Sequence, residues 1–345
     1  MAYTTIDDPS AHFQTALYSG NGSTQSITND GNSDLQPDWL WFKSRNSTQV
    51  HQLFDTSRGI AKSLRSNDNS GDNTDDPNDR LTAINSDGFS LGDDGNPNNG
   101  SNTYVCWQWK ANGGTTSTNS DGTVNVTIQV NSTAGFSIMK WNGNGNTSGT
   151  VGHGLGAKPD FIIEKYGLDG TSNWGVAFPA FETSKLLVLN STSAFATASG
   201  LSGYNTSVFT DGNGAATGGT IAFAFKNIKG YSKFGRYRGN GSENGPFVYT
   251  GFKPQWILFK NADAAEEWVL QDTKRDTINP ITKNIRVDSN IAEADASGLD
   301  IDFLSNGFKN RSDQAQLNSS GVTYLFAAFA EHPFVSSKSV PITAK

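Results

Sequence analysis

The stretch Gln36-Pro37-Asp38-Trp39-Leu40-Trp41-Phe42-Lys43 returns twice further along the chain. It reappears as Lys158-Pro159-Asp160-Phe161-Ile162-Ile163-Glu164-Lys165 and as Lys253-Pro254-Gln255-Trp256-Ile257-Leu258-Phe259-Lys260. Each copy sets a proline between polar residues, then four mostly apolar residues, then a lysine. Proline at the head of a strand gives up only one ladder donor. A short apolar run bounded by turn signals reads as a buried strand, here ending at solvent with the lysine. The surroundings recur in the same order. Ahead stands a glycine-asparagine turn, Gly20-Asn21-Gly22-Ser23, Asn142-Gly143-Asn144-Gly145 or Gly239-Asn240-Gly241-Ser242, a strong hairpin signal. Behind comes a second aromatic stretch, Leu53-Phe54-Asp55, Trp174 to Phe178 or Trp268 to Asp272. In the first and third copies Asp87-Gly88-Phe89 and Asn306-Gly307-Phe308 follow. Each copy closes on an apolar strand: Tyr104 to Lys110, Thr220 to Lys226, and Tyr324 to Ala330.

Landmarks in fixed order mark internal repetition. The repeating units span 10–113, 134–230 and 231–335, each near the ~100-residue size of a small sandwich. The expected fold is all-β: three tandem β-sandwich repeats of jelly-roll or lectin-like kind. The domains are 1–113, a linker plus strand over 114–133, then 134–230, and 231–345 with a C-terminal tail. Gly113 to Gly122 is a Gly/Ser/Thr linker, and Thr123 to Val130 alternates as a strand with one wet face. The second junction has almost no linker, so units two and three are expected to pack closely or share a sheet. Arg58 to Leu64 is the best local helix candidate. Ser66 to Arg80 is polar and acidic and reads as a long mobile loop. Open sheet edges must be covered, by packing within the chain or by oligomerisation.

Composition agrees. The chain holds Gly 37, Phe 21, Trp 8 and Tyr 9 among long runs of Asn, Ser, Thr and Asp, which suits short strands and polar turns. The formal net charge of -7 argues against a nucleic-acid partner, which needs clustered cations. Lys226, Lys229, Lys233, Arg236 and Arg238 come nearest to a cluster and read as a solvated strand connection. Cys106 is the single cysteine, read as a buried small hydrophobe and not a catalytic thiol. Met1 to Asp8 has no signal-peptide pattern, and no apolar run reaches the ~20 residues of a membrane helix. A soluble protein made in a cytoplasm is expected.

Several stretches resemble a family of virion-associated proteins of marine and cyanobacterial tailed bacteriophages. They are Tyr18 to Ile27, Gln36 to Asn46, Phe54 to Gly59, Asn85 to Phe89, Tyr104 to Lys110 and Phe329 to Phe334. The resemblance covers nearly the whole chain. It implies a tail or fibre-like structural protein in the virion, whose partners are other virion proteins and copies of itself.

Candidate chemistry is sparse. His12, His51, His153 and His332 lack zinc spacing, and no nucleophile elbow or phosphate loop appears. Glycoside cleavage needs a carboxylate pair, for which Asp55 and Asp272 are among the candidates, but their repeated position points to a structural turn bond. Asp68 to Asp76, and Asp93 with Asp94, are rich in oxygen ligands yet miss the EF-hand pattern. The reading is therefore no enzyme, no catalytic residue, no metal and no cofactor. Trp141, Tyr204 and Tyr237 fall near turns, where they are placed for contact with a glycan or partner; the strand tryptophans read as core. The expected function is a tail-associated fibre or adhesin component that mediates subunit assembly, with attachment to a host-surface glycan. The alternatives are a capsid decoration protein and a polysaccharide-degrading tail enzyme.

Overall fold

The computed structural model describes residues 3–74, 80–93, 95–143, 148–197, 200–212, 218–295 and 298–341. Nearly all their regular structure is antiparallel sheet. Three large sheets share one strand order. An opening strand lies beside the closing strand, the closing strand beside the Pro-led strand, and the Pro-led strand beside a second strand. In the first segment these are Phe13–Ser19, Thr103–Trp109, Trp39–Ser44 and Gln52–Asp55. In the second they are Phe136–Trp141, Thr220–Phe225, Phe161–Tyr166 and Trp174–Ala177. In the third they are Ser232–Arg238, Thr323–Pro333, Phe252–Asn261 and Val269–Asp272. Each segment adds a three-stranded sheet: Gln25–Ile27 with Phe89–Leu91 and Leu81–Ile84, then Gly149–Gly152 with Val208–Asp211 and Leu201–Ser202, then Phe247–Tyr249 with Gly307–Asn310 and Ile301–Leu304.

The register is in phase. Trp39 pairs with Trp109, Phe161 with Phe225, and Trp256 with Phe329. Successive strand residues face opposite ways, and the two faces have different destinations. Trp39, Trp41, Phe161, Ile163, Trp256 and Leu258 all enter one central cluster drawn from the three segments. Leu40 and Phe42, then Ile162, then Ile257 and Phe259 enter three separate clusters, each shared between a large sheet and its own small sheet. The central cluster is aromatic. Trp39 lies 4.2 Å from Phe223 and 4.4 Å from Trp109, and Trp109 lies 5.7 Å from both Trp256 and Phe329.

Several expectations need correction. No helix forms over Arg58 to Leu64, because the Asp55 carboxylate accepts the Arg58 N–H at 2.8 Å and closes a turn; Lys62–Ser63 then pairs with Asn73–Thr74. Segments two and three pack closely but share no sheet. Ile228 and Ser232 bond to each other in a tight turn with Gly230 at φ +80°, and a new sheet begins. The linker is strand as well: Ser117–Asn119 and Val126–Asn131 join one side of the second sheet, which with Lys185–Val188 and Ala196–Thr197 on the other has eight strands. Gln129 faces the first segment and donates to Thr56 and Ser57, so the wet face expected of that strand is partly covered. Pro254 lies inside its strand, not at its head, and sits at a register shift, which tolerates the missing donor. Asn69 and Asp72, in the stretch expected to be a mobile loop, are bound to the second segment; 75–79 lie outside the described residues.

A shared centre makes the segments unfold together. Trp109→Ala should cost about 3–5 kcal/mol and lower one cooperative calorimetric transition as a whole. Separate transitions, with only one of them shifted, would show that the centre is not common to the three.

Candidate functional site

The large sheets meet at three seams in cyclic order. The Asp72 N–H donates to the Leu168 carbonyl at 2.5 Å, the Phe195 N–H to Ala262 at 3.1 Å, and the Glu293 N–H to Arg45 at 2.8 Å. The first segment thus holds the second, the second the third, and the third the first. Head-to-tail contacts of this kind make a ring when the rotation closes.

Side chains repeat the pattern. His51, Trp174 and Trp268 occupy equivalent places, each one residue before the partner of Phe42, Glu164 and Phe259 in the strand pairing. The Trp174 indole donates to the Arg65 carbonyl at 2.8 Å, and the Trp268 indole to Val188 at 3.0 Å. His51 serves the third seam. Trp41 donates to His51 Nδ1 at 2.9 Å, which leaves the ring proton on Nε2 to be donated to the Arg286 carbonyl at 3.0 Å. Burial, and then the charge of Lys43, hold its pKa down to about 3.

The lysines that end the Pro-led strands do not reach solvent as expected. Lys43, Lys165 and Lys260 are buried, and burial lowers each pKa to about 8. Their ammonium groups are taken up by loop carbonyls, Asn69 at 3.0 Å for Lys165 and Thr192 at 2.6 Å for Lys260, both across a seam; Lys43 uses Ser44 and Ser47 of its own loop.

Asp55 and Asp272 are buried turn-formers. Asp55 binds the Arg58 guanidinium at 2.5 Å, and Asp272 binds that of Arg275 at 2.6 Å. Arg58 continues to Asp72 at 2.5 Å and Arg275 to Glu293 at 3.0 Å. The Trp107 indole of the first segment donates to Asp272 of the third at 3.0 Å. Phe178 and Phe181 stand where the second segment would carry the pair, and both pack on the central cluster. Apolar replacement of a buried ion pair is often neutral or stabilising.

Of the three aromatics placed at the surface by sequence, two are buried. Trp141 is 3% exposed and packs on Phe209, 6.2 Å away. Tyr237 is 8% exposed, stacks on Tyr324 at 5.1 Å and donates its hydroxyl to Leu317 at 2.6 Å. Both lie at strand ends that still belong to the sheet-to-sheet clusters, so nearness to a turn did not mean exposure. Tyr204 is half-buried and donates to the Leu201 carbonyl at 2.7 Å. Among the oxygen-rich stretches, Asp68 pairs with Arg65, and Asp72 with Arg58 and Lys62. Asp75, Asp76 and Asp94 lie outside the described residues, and no group of three potential metal ligands occurs among those described.

One feature escaped the sequence reading. Glu164 is the only acid within the apolar runs of the three Pro-led strands, and its regular place in the alternation hid it. It faces the gap between large and small sheet, fully buried, with neither carboxyl oxygen meeting a hydrogen-bond partner among the described residues. Such burial costs several kcal/mol unless the group takes a proton or a partner. Burial, reinforced by the charge of Asp211, pushes its pKa well above the usual carboxylate range. Burial, and then the charge of Glu164, raise the pKa of the Tyr166 and Tyr204 hydroxyls as well. A pocket of about 310 Å³ opens here, with walls from Glu164, Tyr166, Asn173, Gly175, Leu186 and Thr197.

A family model described as a domain of unknown function (DUF7483) matches residues 8–333. No match to a curated protein is found.

Two pH effects follow from these sites. Glu164 has a folded pKa above its unfolded one, so its ionisation destabilises as pH rises past about 4.5. Glu164→Gln should therefore raise the melting temperature at pH 8 and change it little at pH 4, with Asp211, Tyr166 and Tyr204 still facing the site. An equal gain at both values would exclude a titrating acid. His51 stays neutral in the fold while the unfolded chain takes a proton below about 6.5. Stability should fall from pH 7 towards pH 4, and less steeply in His51→Gln, as read by urea melts; identical slopes would contradict the assignment.

Proposed function

We propose that this chain, which belongs to the DUF7483 domain family, is a structural protein of a tailed-bacteriophage particle, made of three tandem β-sandwich repeats closed into a ring. The lead reading is a tail-associated fibre or adhesin component that joins other virion proteins and copies of itself and attaches to a host-surface glycan.

The observation that carries this reading is the cyclic closure of the seams, from Asp72 on Leu168, through Phe195 on Ala262, to Glu293 on Arg45. Closure uses up the inner faces of all three large sheets within one chain. What remains outside are the small sheets and polar loops, a stiff body suited to contact and spacing. The resemblance of the Pro-led and closing strands to virion proteins supplies the setting. The same approximate threefold arrangement favours, as a second reading, a capsid decoration protein seated at a threefold-related position of the shell. The Asp55 and Asp272 turns are locked to arginines, so a polysaccharide-cleaving reading has to run through Glu164 and Asp211 instead.

Immunogold labelling of purified particles, followed by cryo-electron microscopy, decides among these. Density on the tail is the expected result. Density on the head would move the chain to the decoration role, and absence from the particle would overturn both. Release of reducing ends from host polysaccharide, lost in Glu164→Gln, would replace binding with cleavage.

A further inference from the structure

The three repeats treat one position differently. Phe42 fills the sheet-to-sheet gap of the first segment edge-on to Phe54 and Phe89, with ring centroids at 5.7 and 5.1 Å. Phe259 does the same in the third against Phe308 at 5.4 Å and Tyr237 at 6.5 Å. In the second segment the equivalent residue is Glu164, and its strand partner is Gly175 where the others have Gln52 and Val269. A large ring is replaced by a carboxyl group, and its partner is reduced to a hydrogen. The space a sibling segment fills becomes a pocket of about 310 Å³, at the small end of ligand sites.

The chemistry of the pocket narrows its occupant. At its floor both Glu164 oxygens lack a hydrogen-bond partner among the described residues. Two hydroxyls side by side satisfy them in either state, both donating to the carboxylate, or one donating to the carbonyl oxygen and one accepting from the acid O–H. Asn173 and Thr197 add polar wall, while Leu186 and the Tyr166 side chain add apolar surface. A divalent cation finds a poor ligand set, since no three acidic, histidine or cysteine ligands gather among the described residues.

We propose that the Glu164 pocket binds a single sugar ring, with two adjacent ring hydroxyls hydrogen-bonded to the Glu164 carboxyl and the C–H face resting on the apolar wall. The proposal rests on the adhesin reading for its biological setting and gives that reading one site per chain. Neither sibling segment offers an equivalent, because its phenylalanine occupies the space.

The test uses the purified full chain and saturation-transfer NMR with methyl glycosides of glucose, galactose, mannose and N-acetylglucosamine. At least one should bind, with a dissociation constant in the millimolar range or tighter. Glu164→Phe, which installs the residue of both sibling segments, should weaken binding at least tenfold. Gly175→Val is the second variant. A Cβ there meets Glu164 Oε2 at 3.6 Å and Leu186 Cδ1 at 3.7 Å, ordinary contacts, and the two methyls beyond it narrow the pocket; with an unchanged melting transition as the check on folding, it should also weaken binding at least tenfold. Glycoside binding that survives both variants would overturn the site while leaving the adhesin reading standing. No binding by any of the four would overturn the sugar assignment, as would calcium chloride perturbing the Leu186 methyls where the sugars do not. The place of the protein on the particle is read separately by labelling, so failure here and failure of the virion reading are distinguishable.

Discussion

Everything in this molecule depends on the two-faced alternation of the Pro-led strands. One face of each must be apolar towards the common centre, and the other must be apolar towards its own small sheet. Trp39 and Trp41 on one side, with Leu40 and Phe42 on the other, satisfy both demands in six residues. A slip of one residue would exchange the two faces and present the smaller residues to the centre. The in-phase pairing with the closing strand sets Trp109, Phe225 and Phe329 at one level around the centre. Because all three segments draw on that cluster, none retains a complete core when taken alone.

The apolar centre supplies adhesion without direction, since burial of rings is largely insensitive to rotation. Direction comes from the seams. Indole and imidazole N–H groups and the buried ammonium groups of Lys165 and Lys260 are each aimed at particular carbonyls of the neighbouring segment, and a misplaced segment would leave these donors buried and unmatched. That penalty is larger than the net gain from a satisfied bond. The seams therefore define the angle between sheets, and the centre holds the sheets at that angle.

The all-β class and the repetition could be read from the sequence, because both are carried by side-chain type and spacing. The strand positions of Trp39, Phe161 and Trp256 followed directly. The ring could not be read, because its acceptors are the backbone carbonyls of Arg65, Val188 and Arg286, which no residue type announces. His51 was equally hidden: only the register shows that it stands in for Trp174 and Trp268. Trp141 and Tyr237 were misjudged because a turn nearby in sequence says nothing about which sheet covers a strand end. Glu164 was visible as an acid in an apolar run, yet its meaning needed the two phenylalanines beside which it is the exception.

That exception bears on why three copies share one chain. In a trimer of identical subunits every change appears three times, and a buried acid with no partner would be inserted threefold. Joining the copies removes that constraint along with any dependence of assembly on concentration. The second segment could then exchange the Asp–Arg turn for Phe178 and Phe181 and keep the centre apolar. The first could use histidine where its siblings use tryptophan. Phe42 and Phe259 could continue to fill their gaps while Glu164 opened one. The cost of the buried carboxyl falls on a single repeat, and the two well-filled siblings, tied to it through the common centre, hold that repeat in shape.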